Sequence, residues 1–326
     1  MRPHPDNACS GKYDDWLEVN LLSECNASCA WCIEHDGWHP QDKATWYDLC
    51  EQIVSSRKKN IILLGGEPTI YPKLSSIVHH LYTAGLNVYT TTNGSMLTPD
   101  FASYVLRGTR GINISIHHYN MDTNSDIVGV KLNPDVLRSA IETLHEFGGY
   151  VRFNCNCIEG CVDSVDTVYQ YIQFAKTMGA NSVRFAELKG DGNGFVDIVK
   201  MFGGNYGLTQ DPYNSGCSIN ATLLGMPVNF RIMCGLQTHM RPSPPHPEQT
   251  LHPVLYYDGN FYNGWQRKEE HTMAKSLQQT VERLIAALRV GQITEESAVN
   301  DIMRIINSVE TTAETEKKSP LVGCRY

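Results

Sequence analysis

Six short runs of β-branched and apolar residues alternate with amphipathic stretches over the first 190 residues, and this rhythm constrains the fold more than any other feature. The runs are Trp16–Leu22, Asn60–Leu64, Asn87–Thr92, Gly111–His117, Tyr150–Cys157 and Asn181–Leu188. Helical periodicity marks Lys43–Ser56, Pro72–Ala84, Pro99–Arg107, Pro134–Phe147 and Ser164–Met178. Glycines stand at C-cap positions after three of these, at Gly85, Gly148-Gly149 and Gly179. Strand starts recur every ~24–44 residues, the spacing of βα units in a parallel sheet. The expected fold is therefore α/β, a partial (β/α)6 TIM-like barrel over residues 1–190.

From Gly190 the rhythm fails. Residues 190–270 are rich in Gly, Asn, Pro and His, with strand-like runs at Val228–Met233 and Val254–Tyr262, the latter carrying an Asp258-Gly259 hairpin signal. Two amphipathic helices are expected over 276–290 and 294–309. Residues 191–326 thus read as a C-terminal extension that covers the barrel mouth and packs on the core.

The chemistry concentrates after the first strand, in Cys25-Asn26-Ala27-Ser28-Cys29-Ala30-Trp31-Cys32. A C-x3-C-x2-C loop can hold three corners of a cubane iron–sulfur cluster and leave the fourth iron open to a small molecule. A zinc knot or three incidental thiols is the competing reading, but zinc knots usually pair two C-x2-C units and no second one occurs here. After the second strand comes Gly65-Gly66-Glu67, which parallel topology brings to the same mouth. The glycines let the backbone approach a ligand closely, and Glu67 can accept from an ammonium group.

Together these residues resemble the radical S-adenosylmethionine (SAM) superfamily over about residues 16–190. In its C-x3-C-x-φ-C motif, Trp31 takes the aromatic position and should pack beside the adenine. Gly65, Gly66 and Glu67 match the family motif that contacts the SAM amino group. Within the superfamily the core is most similar to the GTP 3',8-cyclase branch. Thr91-Thr92-Asn93-Gly94 and Ser115 match that branch, Val151-Arg152-Phe153-Asn154 resembles its K-x-N strand, and Arg184-Phe185-Ala186-Glu187-Leu188 resembles its RFIEF segment. The branch's second cluster motif is missing, and Ile62 stands where it places an arginine; Cys217, Cys234 and Cys324 have no spacing that supports a second cluster.

The resemblance implies a [4Fe–4S] cluster on Cys25, Cys29 and Cys32 with SAM on the open iron. Reductive cleavage of SAM would give a 5'-deoxyadenosyl radical that removes a hydrogen atom from substrate. Trp31, Gly65, Gly66, Glu67, Asn93, Ser115, Arg152 and Asn154 are the implied SAM contacts. Strand alternation adds His117, Asn156, Arg184 and Glu187 as candidate catalytic residues. It turns Arg152, Asn154 and Asn156 inward and leaves Cys155 and Cys157 as buried structural thiols. On a regular strand Arg184 and Glu187 cannot both face inward. The expected substrate is a nucleotide or other small polar metabolite; modification of a peptide side chain, or a non-catalytic iron–sulfur protein, are the alternatives. A flavodoxin or ferredoxin is the implied electron donor.

Composition sets the remaining bounds. With 27 basic against 35 acidic residues the net charge is -8, and no basic stripe suggests a nucleic-acid partner. No apolar run approaches a membrane span and no signal-peptide core opens the chain, so a cytoplasmic location is expected.

Overall fold

The computed structural model describes residues 15–32, 34, 37–189, 194–203, 218–233 and 253–265, all within the compact unit Met1–Trp265. The six predicted runs become β1 (Trp16–Asn20), β2 (Asn60–Leu64), β3 (Asn87–Thr92), β4 (Gly111–Ser115), β5 (Tyr150–Asn156) and β6 (Ser182–Ala186). They pair in chain order, each parallel to the next. The predicted helices form α1 (Trp46–Ser55), α2 (Leu74–Thr83), α3 (Pro99–Tyr104), α5 (Pro134–Glu146) and α6 (Val165–Thr177). Two more, α4 (Met121–Val128) and α7 (Ile198–Met201), were not marked by periodicity.

Beyond residue 190, β7 (Ser218–Leu223) and β8 (Met226–Arg231) form a hairpin, and β8 lies parallel to β6. A second hairpin, β9 (Pro253–Leu255) and β10 (Phe261–Asn263), puts β9 parallel to β1. The described strands thus make one open sheet, ordered β10-β9-β1-β2-β3-β4-β5-β6-β8-β7. The six central βα units are the expected partial barrel.

One face of this sheet is apolar. Leu17, Val19, Ile61, Leu63, Ile112, Ile114, Val151, Phe153, Val183 and Phe185 are buried in the hydrophobic core together with the helix stripes. Those stripes repeat at i, i+3 and i+4, as with Leu137, Ala140, Ile141 and Leu144 on α5. Cys155 and Cys157 lie on this face, fully buried, and Cys50 packs there from α1. Because side chains alternate along a strand, the residues between them face the other way, toward the site. The helices expected over 276–290 and 294–309, the histidines His239, His246 and His252, and Cys9, Cys217, Cys234 and Cys324 lie outside the described residues.

Candidate active site

The cysteine loop leaves β1 and is gripped from three sides. From β2, Gly66 N–H donates to Leu22 O (2.7 Å) and Glu67 N–H to Glu24 O (2.9 Å). Only glycine permits this approach. A Cβ on Gly65 would lie 2.5 Å from both Asn20 Oδ1 and Leu22 O, and one on Gly66 would lie 2.0 Å from Glu24 O. The glycine pair therefore brings backbone against backbone, the cysteine loop itself being the close neighbour.

From β3 the grip runs through side chains. Asn93 Nδ2 donates to Asn26 Oδ1, Asn26 Nδ2 donates to Ser95 Oγ (both 2.8 Å), and Ser95 N–H returns to Asn93 Oδ1 (2.9 Å). This closed ring spans the two loops. Glu67 stands behind it, 1% exposed. Its Oε2 accepts from Asn93 N–H (2.7 Å), while Oε1 accepts from Thr92 Oγ1, Thr69 Oγ1 and Thr69 N–H at 2.6, 2.5 and 3.0 Å. The Glu67 carboxylate thus ties β2 to β3.

The third grip is α4, absent from the sequence reading. Its last residue, Val128, accepts at O from Ser28 N–H (2.9 Å). A Cβ on the following Gly129 would come within 2.1 Å of Ser28 Oγ. From the middle of the same helix, Asn124 Oδ1 accepts from His117 N–H (2.7 Å). A short polar helix with only Asn124 and Val128 buried leaves little hydrophobic periodicity to read. Asn26 was likewise legible only as a spacer, since nothing in the loop signals a partner 67 residues away.

The inner face forms registered polar rows. Thr91, Asn113, Arg152 and Ser182 are neighbours across β3 to β6. One step toward the mouth come Ser115, Asn154, Arg184 and Asn229 on β4, β5, β6 and β8, then Asn156, Ala186 and Arg231. Arg152 Nε donates to Asn154 Oδ1 (3.1 Å). At the mouth, the Trp31 and His117 rings meet edge to face, centroids 5.2 Å apart. The structure thus brings Trp31, His117, Asn156, Ser115, Asn154 and Arg184 to the inner side, with Asn93 and the glycines beside the cysteine loop.

Glu187 is turned elsewhere. It is fully buried, and its two carboxylate oxygens accept from Ile198 N–H and Met233 N–H, each at 2.9 Å. These bonds fasten the segments after β6 and β8. His118 also has a local role, accepting at Nδ1 from Asn120 N–H and stacking on Tyr119.

Residues 19–165 match the radical SAM superfamily. The chain carries a radical SAM domain.

Relatives differ in what they act on. A GTP 3',8-cyclase of Aliarcobacter butzleri is 28% identical over 212 residues, covering 62% of this chain and 61% of the relative. An S-adenosylmethionine-dependent nucleotide dehydratase of Flammeovirga pacifica is 28% identical over 152 residues, covering 42% and 52%. The chain therefore spans about three-fifths and half of the length of these curated relatives. Streptococcus suis SuiB bound to precursor peptide SuiA is a solved structure with 17% identity and a TM-score of 0.45, covering 53% of this chain and 39% of that one.

Radical SAM proteins use a [4Fe–4S] cluster with SAM, and the residues of this radical SAM domain fit that group. Cys25, Cys29 and Cys32 form no disulfide and share one loop at the mouth, exposed or half-buried. Burial, then the neighbouring Cys32 and Cys25, push the Cys29 thiol up to about 11. Thiols that raise one another in this way are close, and iron charge reverses the effect. No three His, Cys, Asp or Glu side chains among the described residues converge on a single ion. A cluster places each thiolate on a different iron and needs no such convergence.

His117 offers a pH signature. Its Nδ1 accepts from Asn156 N–H (3.0 Å), so the neutral ring carries its proton on Nε2. Burial lowers its pKa from 6.5 to about 4. Between those values the unfolded chain binds a proton the folded one refuses, so stability present above pH 6.5 is lost as pH falls toward 4. This costs about 2 kcal/mol between pH 7 and 4.5. In His117→Asn, whose amide oxygen can replace the Nδ1 acceptor, urea unfolding should show a pH-dependent loss smaller by that amount. An unchanged loss would place the protonation elsewhere.

Proposed function

We propose that this chain is a radical SAM enzyme acting on a nucleotide or other small polar metabolite. The observation that carries the reading is the cysteine loop, pinned by β2, β3 and α4 beside a sheet face whose polar residues stand in registered rows. Bound together, a reduced cluster and SAM supply hydrogen-atom abstraction from unactivated carbon through one-electron cleavage of the sulfonium.

The chain's own work is placement and exclusion of water. Cys25, Cys29 and Cys32 would hold the cluster, and the Asn26–Asn93–Ser95 ring keeps their loop from shifting against β3. Trp31 and His117 form an aromatic wall at the mouth. The neutral His117 ring is an N–H donor that neither adds charge nor competes for a proton at pH 7. Ser115, Asn154 and Arg184 offer hydrogen bonds along one row for cofactor or substrate. The relatives named for nucleotides support the substrate class. A flavodoxin or ferredoxin is the electron donor in this reading. No helix among the described residues is long and apolar enough to cross a membrane.

The test is anaerobic. Full-length chain reconstituted with iron and sulfide should release 5'-deoxyadenosine from SAM on addition of dithionite. A Cys29→Ala protein should lose at least about 100-fold of that rate, since each thiolate is one of three anchors. Wild type that forms the cluster yet yields no 5'-deoxyadenosine, even with cell extract as substrate source, would favour a non-catalytic iron–sulfur protein. Deuterated nucleotides and peptides that pass label to 5'-deoxyadenosine would identify the substrate class directly.

A further inference from the structure

We propose that Glu34 and His39, just beyond the cysteine loop, hold a divalent metal ion separate from the cluster, with open positions left on the ion. That a substrate atom takes one of those positions rests on the function proposed above; the ion site itself does not.

A tight turn after the cysteines places the pair. Asn20 ends β1, and its Oδ1 would lie 2.5 Å from a Cβ on Gly65, so its amide stands beside the glycine turn at the mouth. Glu34, two residues after Cys32, is 8% exposed. Among the described residues its carboxylate receives one hydrogen bond, from Asn20 Nδ2 to Oε1 (3.2 Å). The Glu34 carbonyl accepts from Gly37 N–H (3.3 Å) and lies 3.0 Å from His39 Nε2, which folds the ring back over the turn. A carbonyl only accepts, so Nε2 carries the ring hydrogen and the neutral imidazole keeps a lone pair on Nδ1. That nitrogen faces Glu34 Oε2 across 3.7 Å.

Glu34 Oε2 and His39 Nδ1 are both buried atoms without a hydrogen-bond partner. Bare buried acceptors are costly, and their spacing indicates what belongs between them. A hydrogen shared directly would draw the two atoms to about 2.7–3.0 Å. One water or ammonium donating to both would hold them about 4.6 Å apart. A tetrahedral ion with bonds of about 2.0–2.2 Å would hold them about 3.4 Å apart. The observed 3.7 Å is nearest to the span across a metal ion.

The surrounding contacts agree. A histidine on a metal characteristically gives its other ring N–H to a backbone carbonyl, and a carboxylate on a metal is itself hydrogen-bonded. His39 does the first through the Glu34 carbonyl, and Glu34 the second through the Asn20 amide. Asn20 Oδ1 is a third bare buried acceptor, suited to the hydrogen of a metal-bound water. A cation between the two groups also offsets the cost of burying the Glu34 carboxylate. Imidazole with a carboxylate oxygen suits Mn2+, Fe2+ or Zn2+. Among the described residues no third His, Cys, Asp or Glu joins them, so water or a substrate oxygen or nitrogen completes the coordination.

The experiment uses the reconstituted full-length chain, cleared of loose iron with EDTA, and titrates Zn2+ and, separately, Mn2+ by calorimetry. Zn2+ should bind more tightly than Mn2+. Glu34→Gln and His39→Gln should each weaken that binding at least about 100-fold, since a lost ligand costs more than the 10- to 100-fold of a lost supporting contact. Glutamine at position 39 can still donate to the Glu34 carbonyl, and His39 is 32% exposed, so this variant serves if Glu34→Gln does not fold. It should keep about four cluster irons per chain. Pulsed EPR of bound Mn2+ should show coupling to an imidazole nitrogen, lost in His39→Gln. Wild type that binds neither ion, variants that bind like wild type, or Mn2+ without nitrogen coupling would overturn the site. Loss of the cluster together with the ion in His39→Gln would also overturn it, by showing that the pair serves the loop. Release of 5'-deoxyadenosine is read on the wild-type preparation, so failure of the radical SAM reading registers separately from failure to bind the ion.

Discussion

Gly66→Ala should abolish cluster assembly without unfolding the sheet. The added Cβ would sit 2.0 Å from Glu24 O, 2.5 Å from the Glu24 carbonyl carbon and 2.7 Å from Ser23 O. All three are backbone atoms, so no side-chain rotation can relieve the overlap. Either the loop before Cys25 moves away or the turn after β2 does. In both cases the bonds from Gly66 N–H to Leu22 O and from Glu67 N–H to Glu24 O are lost. Iron content after reconstitution should fall from about four per chain to below about one. The circular dichroism of the helices should persist, because the clash lies outside the apolar core. Gly85→Ala provides the comparison: it also has positive φ, but no atom lies within 4 Å of its Cβ position. It should strain its own turn by about 1 kcal/mol and leave iron content unchanged. Full iron loading of Gly66→Ala would show that the glycine does not set the position of the cysteine loop.

Replacing Glu67 by Gln should cost about 2–4 kcal/mol, although the change is a single atom. The carboxylate accepts four hydrogen bonds while 1% exposed. In glutamine, one of the two positions becomes an N–H2 donor. If it replaces Oε2, it faces Asn93 N–H at 2.7 Å, donor against donor. If it replaces Oε1, it faces a backbone N–H and two hydroxyls. The hydroxyls can rotate, but the backbone donor cannot. The melting temperature should fall by about 5–12 °C. The damage should spread through Asn93, whose backbone Glu67 holds and whose side chain holds Asn26. A double-mutant cycle with Asn26→Ala should therefore give a loss smaller than the sum of the two single changes. Strict additivity would separate the carboxylate from the cysteine loop.

Much of this protein is legible in its sequence. β2 and β3 coincide with the predicted runs, and β1, β4, β5 and β6 start within one residue of theirs. Period-two and period-3.6 patterns are local consequences of one face being buried, so a single sequence carries them. The same alternation separated Arg152, Asn154 and Asn156 from Cys155 and Cys157 on β5, and those two cysteines are fully buried in the core. Elements that bury little were invisible. α4 hides only two residues, and β7 is an edge strand of mixed polarity. Glu187 was ambiguous for another reason. Its neighbours in the chain suggest a strand residue facing the site, but its carboxylate is claimed by amides 11 and 46 residues away.

The sequence by itself determined the alternation of strand and helix, the apolar and polar faces of each strand, and the three thiols on one loop after β1. These depend on residues within a few positions of one another. Only the tertiary structure decided what those residues meet. Gly65 and Gly66 lie against the backbone that carries the cysteines, Asn26 closes a ring with Asn93 and Ser95, and Arg231 arrives beside Ala186 from 45 residues further along the chain. Hydrogen bonding and charge act through space, so partners brought together by strand register leave no mark in the spacing of either residue.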